Sequence, residues 1–131
     1  MSQDRSVTAH SAAAPYLTEL SDGVHTWRSD TPAANGGADA AADPESLVLG
    51  ALGACTAMTV RMYAARKQWP LQGVEVQLRY THRDAGSTRI AREITLTGPL
   101  DVTQRTRLLE IAEKCPIHRL LTGEVVIDTT M

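Results

Sequence analysis

One long segment near the middle of the chain constrains the fold most. It opens on Asp43, Pro44 and Glu45, a typical helix start: Asp caps free N–H groups, Pro suits the first helical position, and Glu faces the positive end of the helix dipole. The helix is predicted to run to about Gln68, because the Trp-Pro pair after it is incompatible with further helix. Its first two thirds are apolar on every face. Such a helix is expected to be buried on every side.

Two glycines lie inside this predicted helix. Gly50 and Gly53 each cost about 1 kcal/mol relative to alanine. With Ala54 and Ala57 they form pairs of small residues four positions apart. The pairs favour a second backbone crossing close to the helix, and simple tolerance of the glycines by this helix is the alternative.

The remaining patterns predict short strands, one hairpin and a second helix. The hairpin is indicated by strict alternation of apolar and polar residues on both sides of a turn at residues 84–87. A capping-box pattern at Asp101 opens the second helix, which Pro116 is expected to close. The predicted strands are Val7–Ala9, Leu17–Leu20, Val24–Trp27, Val74–Tyr80, Ile90–Thr97 and Val125–Thr129. This order predicts an α+β fold with a mostly antiparallel sheet, and the 131 residues predict a single domain, 1–131.

Composition excludes several classes of function. The net charge is -2 and aromatic residues make up 4% of the chain, which predicts no nucleic-acid partner. The uncharged run Ser46–Val60 is shorter than the roughly 20 residues that cross a bilayer, so no membrane partner is expected. Two cysteines without a signal-peptide pattern indicate a reducing compartment, the cytoplasm.

The two cysteines are the candidate chemical groups. Cys55 and Cys115 each lie on an apolar helix face, so the two faces could pack and bring the thiols together. Apolar burial raises a thiol pKa, and the expected helix C-terminus at Cys115 disfavours a thiolate, so the residues alone favour two buried structural cysteines. Cys115 and His118 could form half of a zinc site, but the other histidines lack ligand spacing, and we predict no metal. No nucleotide-binding or hydrolase motif occurs, and we predict no cofactor.

Three motifs together resemble a known family. They are Asp43-Pro44-Glu45, the sequence GACTAMT around Cys55 and the sequence IAEKCPIH around Cys115. These motifs are similar to those of the OsmC/Ohr family, the osmotically inducible and organic-hydroperoxide-resistance proteins. The resemblance runs from about Gly23 to Ile127 and is nearer to the OsmC-like branch than to the Ohr branch.

The resemblance implies an intertwined homodimer with two active sites at its interface and thiol-dependent peroxidase chemistry. Cys55 matches the cysteine that attacks a small apolar hydroperoxide and becomes a sulfenic acid. Cys115 matches the resolving cysteine that forms a disulfide, which a dithiol reductant then reduces. Glu45 matches the family carboxylate that holds an arginine, and a role as first-turn dipole partner is the alternative.

The family arginine has no counterpart at its expected position. It belongs to the N-terminal strand region, and the matching stretch, residues 12–16, contains no basic residue. Arg5 and Arg28 flank this stretch, and Arg61, Arg92 and Arg119 are conceivable substitutes. Without a nearby cation nothing lowers the Cys55 pKa, so weak hydroperoxide reduction is expected.

Two other functions stay open at this point. The first is a non-enzymatic homodimer that binds a small hydrophobic ligand at its interface, with redox-sensing or structural cysteines. The second is a structural partner of another protein. A cation near the thiols would favour the peroxidase, and a closed apolar pocket without a cation would favour the ligand-binding dimer.

Overall fold

The computed structural model describes residues 4–11 and 15–131, which divide into two compact units, Met1–Val48 and Leu49–Met131. The described elements are strands and helices in mixed order with antiparallel sheets, so the predicted α+β class is confirmed. The elements are β1 Thr8–Ser11, β2 Thr18–Ser21, β3 Thr26–Ser29, α1 Pro44–Lys67, β4 Gly73–Arg83, β5 Thr88–Thr97, α2 Val102–Ala112 and α3 Pro116–Thr122.

The first unit contains a three-stranded antiparallel sheet in the order β1-β2-β3. The turn between β2 and β3 is held by Asp22, whose carboxylate accepts the backbone N–H groups of Val24 and His25 at 2.9 and 2.6 Å. Gly23 has a φ of 91°, which a side chain would disfavour. The three predicted strands are therefore present, each shifted by one or two residues. Residues 12–14, part of the stretch matching the family arginine, lie outside the described residues.

Helix α1 spans Pro44–Lys67, as the sequence predicts, but its burial differs from the expectation. One row at a spacing of four is buried, namely Leu52, Thr56, Val60 and Ala64. Other apolar residues of the helix are exposed, with Met58 at 59% and Met62 at 57%. The expectation of burial on every side is wrong for the single chain, because the chain covers only one face of this helix.

The glycines of α1 also differ from the expectation. A Cβ atom placed on Gly53 would lie 2.8 Å from Cδ1 of Leu78, so the close neighbour is a side chain of β4 rather than a backbone. A Cβ atom on Gly50 would meet nothing within 4 Å. The predicted backbone crossing is thus not found at either glycine among residues 4–11 and 15–131.

Among the described residues, α1 alone is long and apolar enough to span a membrane by length and composition. The central helix of a soluble protein meets the same criterion, so the observation is weak evidence for a membrane span. The expectation of no membrane partner rested on the uncharged run Ser46–Val60, and the helix is longer than that run, with Arg66 and Lys67 in its last turn.

The second unit places its core between α1, the β4–β5 hairpin and α2. The hairpin is antiparallel with Val74 opposite Leu96, and Asp101 caps α2 through the predicted capping box with Gln104. The buried core consists of Val60, Ala64, Leu100, Leu108 and Ala112, with Tyr63, Trp69, Leu71, Val74, Ile94 and Leu96 packed around it. Aliphatic residues thus form most of this core, in a chain that contains no phenylalanine.

Two sequence predictions in the C-terminal region are wrong. The predicted strand Val125–Thr129 has no regular structure, and Val126 and Ile127 are 72% and 83% exposed. A strand needs a partner for its backbone groups, and none of the described strands pairs with this segment. Pro116 does not simply close α2: it occupies the first turn of a separate helix, α3.

Candidate functional site

The fold of the second unit brings the two cysteines near each other. Cys55 lies on α1 and is partly exposed, whereas Cys115, directly before α3, is fully buried. The thiols are near enough for Cys115 to affect the pKa of Cys55. Burial raises the pKa of the Cys55 thiol, and the neighbouring Cys115 raises it further, while the backbone of Ile117 and the hydroxyl of Thr59 act in the opposite direction. Cys55 is therefore a mainly protonated thiol at neutral pH.

Cys115 has a different local environment from the one its sequence predicts. Helix α2 ends at Ala112, and Cys115 is the N-cap of α3. Its sulfur accepts the backbone N–H of His118 at 3.2 Å. The expectation of an unfavourable helix C-terminus at Cys115 is wrong, because α2 ends before this residue and the sulfur accepts a backbone donor of the new helix, α3.

Thr56 links the buried sulfur to the second strand of the hairpin. This fully buried residue donates its hydroxyl proton to the Leu52 carbonyl at 2.6 Å. Its oxygen accepts a hydrogen bond from Nη1 of Arg92 at 3.0 Å and lies 3.9 Å from Sγ of Cys115. Since the hydroxyl proton is already used, Cys115 is the donor in that last contact.

Arg92 is a nearly buried cation, with its side chain 10% exposed. Its Nη2 atom donates to Oε2 of Glu113 at 2.9 Å and to Nδ1 of His118 at 3.0 Å. An arginine has no acceptor, so Nδ1 of His118 must accept. A buried charge needs a partner, and Glu113, 65% exposed, supplies the opposite charge from the solvent side.

Arg92 is the site residue that sequence reasoning undervalued. It stands in the row of β5 that also contains Ile90, Ile94 and Leu96, where the alternating pattern requires an apolar side chain. A charged residue in an apolar row signals a buried polar contact. That signal was visible in the sequence, whereas the contact with Thr56 was not, because it joins residues 36 positions apart.

The other candidate residues lie elsewhere or have other partners. Glu45 is in the first turn of α1, within the first unit, and its role stays a prediction. Arg5 pairs with Asp22 at 3.1 Å, and Arg61 donates to the Gln72 carbonyl at 3.1 Å. Arg28 lies on β3, opposite Glu19 of β2.

The imidazole of His118 is engaged in a way that disfavours a zinc site. Its Nδ1 lone pair accepts a hydrogen bond from the Arg92 guanidinium. The guanidinium would also place a positive charge beside any metal bound there. Within residues 4–11 and 15–131, no group of three or more His, Cys, Asp or Glu side chains could hold a metal ion. The arrangement is instead that of two neighbouring thiols with one cation connected to the buried one, which suits thiol–disulfide chemistry.

Comparison with known proteins identifies the family. Residues 36–130 match the model of the OsmC-like protein family. An OsmC-like protein from Mycoplasma pneumoniae superposes with a TM-score of 0.77 at 18% identity, over 94% of this chain and 90% of that chain. No curated protein matches the sequence.

Two further solved structures carry names that refer to hydroperoxides. An organic hydroperoxide resistance protein OsmC from Legionella pneumophila is 25% identical with a TM-score of 0.66, over 92% of this chain and 90% of that chain. The organic hydroperoxide resistance protein OhrB of Bacillus subtilis is 23% identical with a TM-score of 0.63, over 92% of each chain. Since the family model covers most of the chain and the same fold recurs in these proteins, the chain belongs to the OsmC-like protein family.

Proposed function

We propose that the chain is a thiol-dependent peroxidase that reduces organic hydroperoxides. The observation that carries the proposal is the pair of neighbouring cysteines, with Cys55 partly exposed and Cys115 buried beside it. An accessible thiol can meet the oxidant, and a protected second thiol can react with it afterwards. The hydroperoxide-related names of family members agree with this assignment.

The reaction consists of three balanced steps. The Cys55 thiolate attacks the terminal oxygen of the hydroperoxide, the O–O bond breaks, and the product alcohol takes up a proton while Cys55 becomes a sulfenic acid. The Cys115 sulfur then attacks Cys55, an S–S bond forms, and the oxygen leaves as water. An external dithiol reduces the disulfide and is itself oxidised to a disulfide.

Weak turnover is part of the proposal. The raised pKa of Cys55 keeps most of the thiol protonated at neutral pH, and only the thiolate attacks a peroxide. Glu45, which matches the family carboxylate, is proposed as the third catalytic residue.

We also propose that residues 1–131 form a single OsmC-like domain that works as a homodimer in the cytoplasm. Exposed apolar residues on α1, such as Met58 and Met62, give a second copy a surface to cover. The exposed segment around Val126 and Ile127 has the composition of a strand and pairs with none of the strands that the structure describes. Both features are explained if each copy covers the other.

The homodimer gives a direct prediction of mass. Size-exclusion chromatography with light scattering at low micromolar concentration is expected to give about twice the monomer mass of 14.1 kDa. Met58→Glu, which places a charge on the exposed face of α1, should shift the mass towards the monomer. A stable folded monomer of the unaltered chain would contradict the dimer.

The peroxidase proposal predicts slow consumption of cumene hydroperoxide that depends on a dithiol such as dithiothreitol. Cys55→Ser should reduce this rate to the uncatalysed background, because serine cannot form the sulfenic acid. Cys115→Ser should permit one oxidation per chain and then stop or overoxidise, since no disulfide can form. Peptide mass mapping of the oxidised, unaltered chain should show Cys55 linked to Cys115.

Equal rates for the chain and for Cys55→Ser would contradict the peroxidase. The second candidate, binding of a small hydrophobic molecule, is favoured by a groove of about 450 Å³ in the first unit, lined partly by Tyr16, Leu20, Pro44 and Leu47. Saturable binding of an apolar fluorescent probe by the chain and by Cys55→Ser alike, without turnover, would then favour that function.

A further inference from the structure

The nearly buried cation of the second unit is connected to the buried cysteine. Arg92 donates hydrogen bonds to Thr56, Glu113 and His118. Thr56 and His118 in turn contact the Cys115 sulfur. The contacts that affect Cys55 come instead from Ile117, Thr59 and Cys115. These hydrogen bonds therefore connect the positive charge of Arg92 to Cys115.

We infer that Arg92, anchored by Glu113, is a positioning residue for Cys115 in the disulfide-forming step rather than a residue that prepares Cys55 for the hydroperoxide. The inference rests on the proposed peroxidase function. It assigns Arg92 to one step of that reaction, the formation of the disulfide. Arg92 acts through Thr56 and His118, since it is these two residues that touch the sulfur.

The hydrogen bonds explain how the positioning works. The Thr56 oxygen accepts from Arg92 and from the Cys115 thiol, while its own proton goes to Leu52, so its position is fixed on three sides. The His118 N–H holds the sulfur from another direction. When Cys115 gives up its proton and attacks Cys55, negative charge forms on its sulfur beside this N–H. Only Thr56 then lies between that sulfur and the Arg92 guanidinium. Charge-assisted contacts of this kind are stronger than neutral ones.

The same geometry assigns His118 a supporting role. Its Nδ1 accepts from Arg92, so the ring proton of the neutral form lies on Nε2, which is 3.7 Å from Oε1 of Glu113. The Nδ1 lone pair is thus occupied and does not take the Cys115 proton. That proton leaves with the water formed when the S–O bond of the Cys55 sulfenic acid breaks.

The experiment separates the two steps in a single turnover. Reduced protein receives one equivalent of cumene hydroperoxide, and samples are quenched to measure hydroperoxide consumed, Cys55 sulfenic acid trapped by dimedone, and the Cys55–Cys115 disulfide. Arg92→Gln should leave the rate of hydroperoxide consumption within about twofold, slow disulfide formation by roughly tenfold or more, and raise the dimedone adduct. Arg92→Lys should recover part of the rate, since it keeps the charge without the fork of donors.

Two further variants protect the test against a folding defect. Glu113→Gln changes a mostly exposed side chain and should slow disulfide formation in the same direction by a smaller factor. Arg89→Gln, on the exposed side of the same strand, is the matched control and should change neither step. Equal slowing of both steps by Arg92→Gln, or no change in either, would overturn the inference.

A second oxidant distinguishes failure of this inference from failure of the proposed function. Diamide oxidises two thiols to a disulfide and is itself reduced to the hydrazine, so it requires no hydroperoxide. If the chain consumes no hydroperoxide, the peroxidase proposal fails, yet Arg92→Gln should still slow diamide-driven formation of the Cys55–Cys115 disulfide. An unchanged rate with diamide would refute the positioning role by itself.

Discussion

Alkylation of Cys55 by iodoacetamide is expected to accelerate about tenfold for each pH unit between pH 6 and 8, a rise of roughly a hundredfold. The thiolate is the nucleophile, and burial together with Cys115 raises the pKa of this thiol above its usual range. The rate should therefore show no plateau below about pH 8.5, the pKa of a free cysteine. Peptide mass spectrometry of samples quenched over time distinguishes Cys55 from Cys115.

The control for this measurement is Cys115→Ser, which removes one cause of the shift but leaves the burial of Cys55 in place. Its profile should move to slightly lower pH without reaching a plateau near neutrality. A plateau of the unaltered chain below about pH 6.5 would contradict the argument, since a cation would then have to stabilise the Cys55 thiolate. Arg28, Arg61 and Arg92 would be the residues to substitute next.

The same pKa direction has a consequence for stability. A thiol whose folded pKa is raised favours the folded state while it is protonated. Its contribution to the free energy of unfolding is therefore complete below the unfolded pKa of about 8.5 and is lost as the pH rises through the folded pKa. The effect belongs to alkaline pH, so neutral and mildly acidic buffers leave it unchanged.

Local signals in the sequence predicted the elements of the fold well. The start of α1 at Pro44, the capping box at Asp101 and the alternation that forms the β4–β5 hairpin are decided by residues within a few positions of one another. The prediction for the C-terminal segment was wrong because Val125–Thr129 has the composition of a strand, whereas strand formation depends on a partner that no local pattern reveals.

The site was predictable in part. The faces of Cys55 and Cys115 and the family motifs pointed to two neighbouring thiols, and the thiols are near each other. The environment of Cys115 was misjudged because Pro116 can end one helix or begin the next, and the hydrogen bond from His118 shows that it begins one. The link from Arg92 to Thr56 depends on how β5 packs on α1, which is a tertiary contact without a sequence signature.

Leu108→Ala is expected to lower the free energy of unfolding by about 2–5 kcal/mol, the largest effect on stability that we predict for a single substitution. Leu108 is 0% exposed and belongs to the core with Val60, Ala64 and Ala112, so the substitution removes buried methyl groups and leaves a cavity. Urea unfolding at a fixed protein concentration measures the change, because association of two chains adds to the apparent stability.

The neighbouring Leu109→Ala provides the matched control, since it makes the same chemical change one position along the same helix. Leu109 is 47% exposed, so its loss should cost less than about 1 kcal/mol. The difference between the two variants isolates burial in the second unit from helix propensity, which is the same for both. Equal losses would contradict this core, because they would mean that the face of α2 carrying Leu109 is buried as deeply as the one carrying Leu108. A concentration-dependent loss for Leu109→Ala alone would instead place that face at the contact between two copies, since only association makes stability depend on protein concentration.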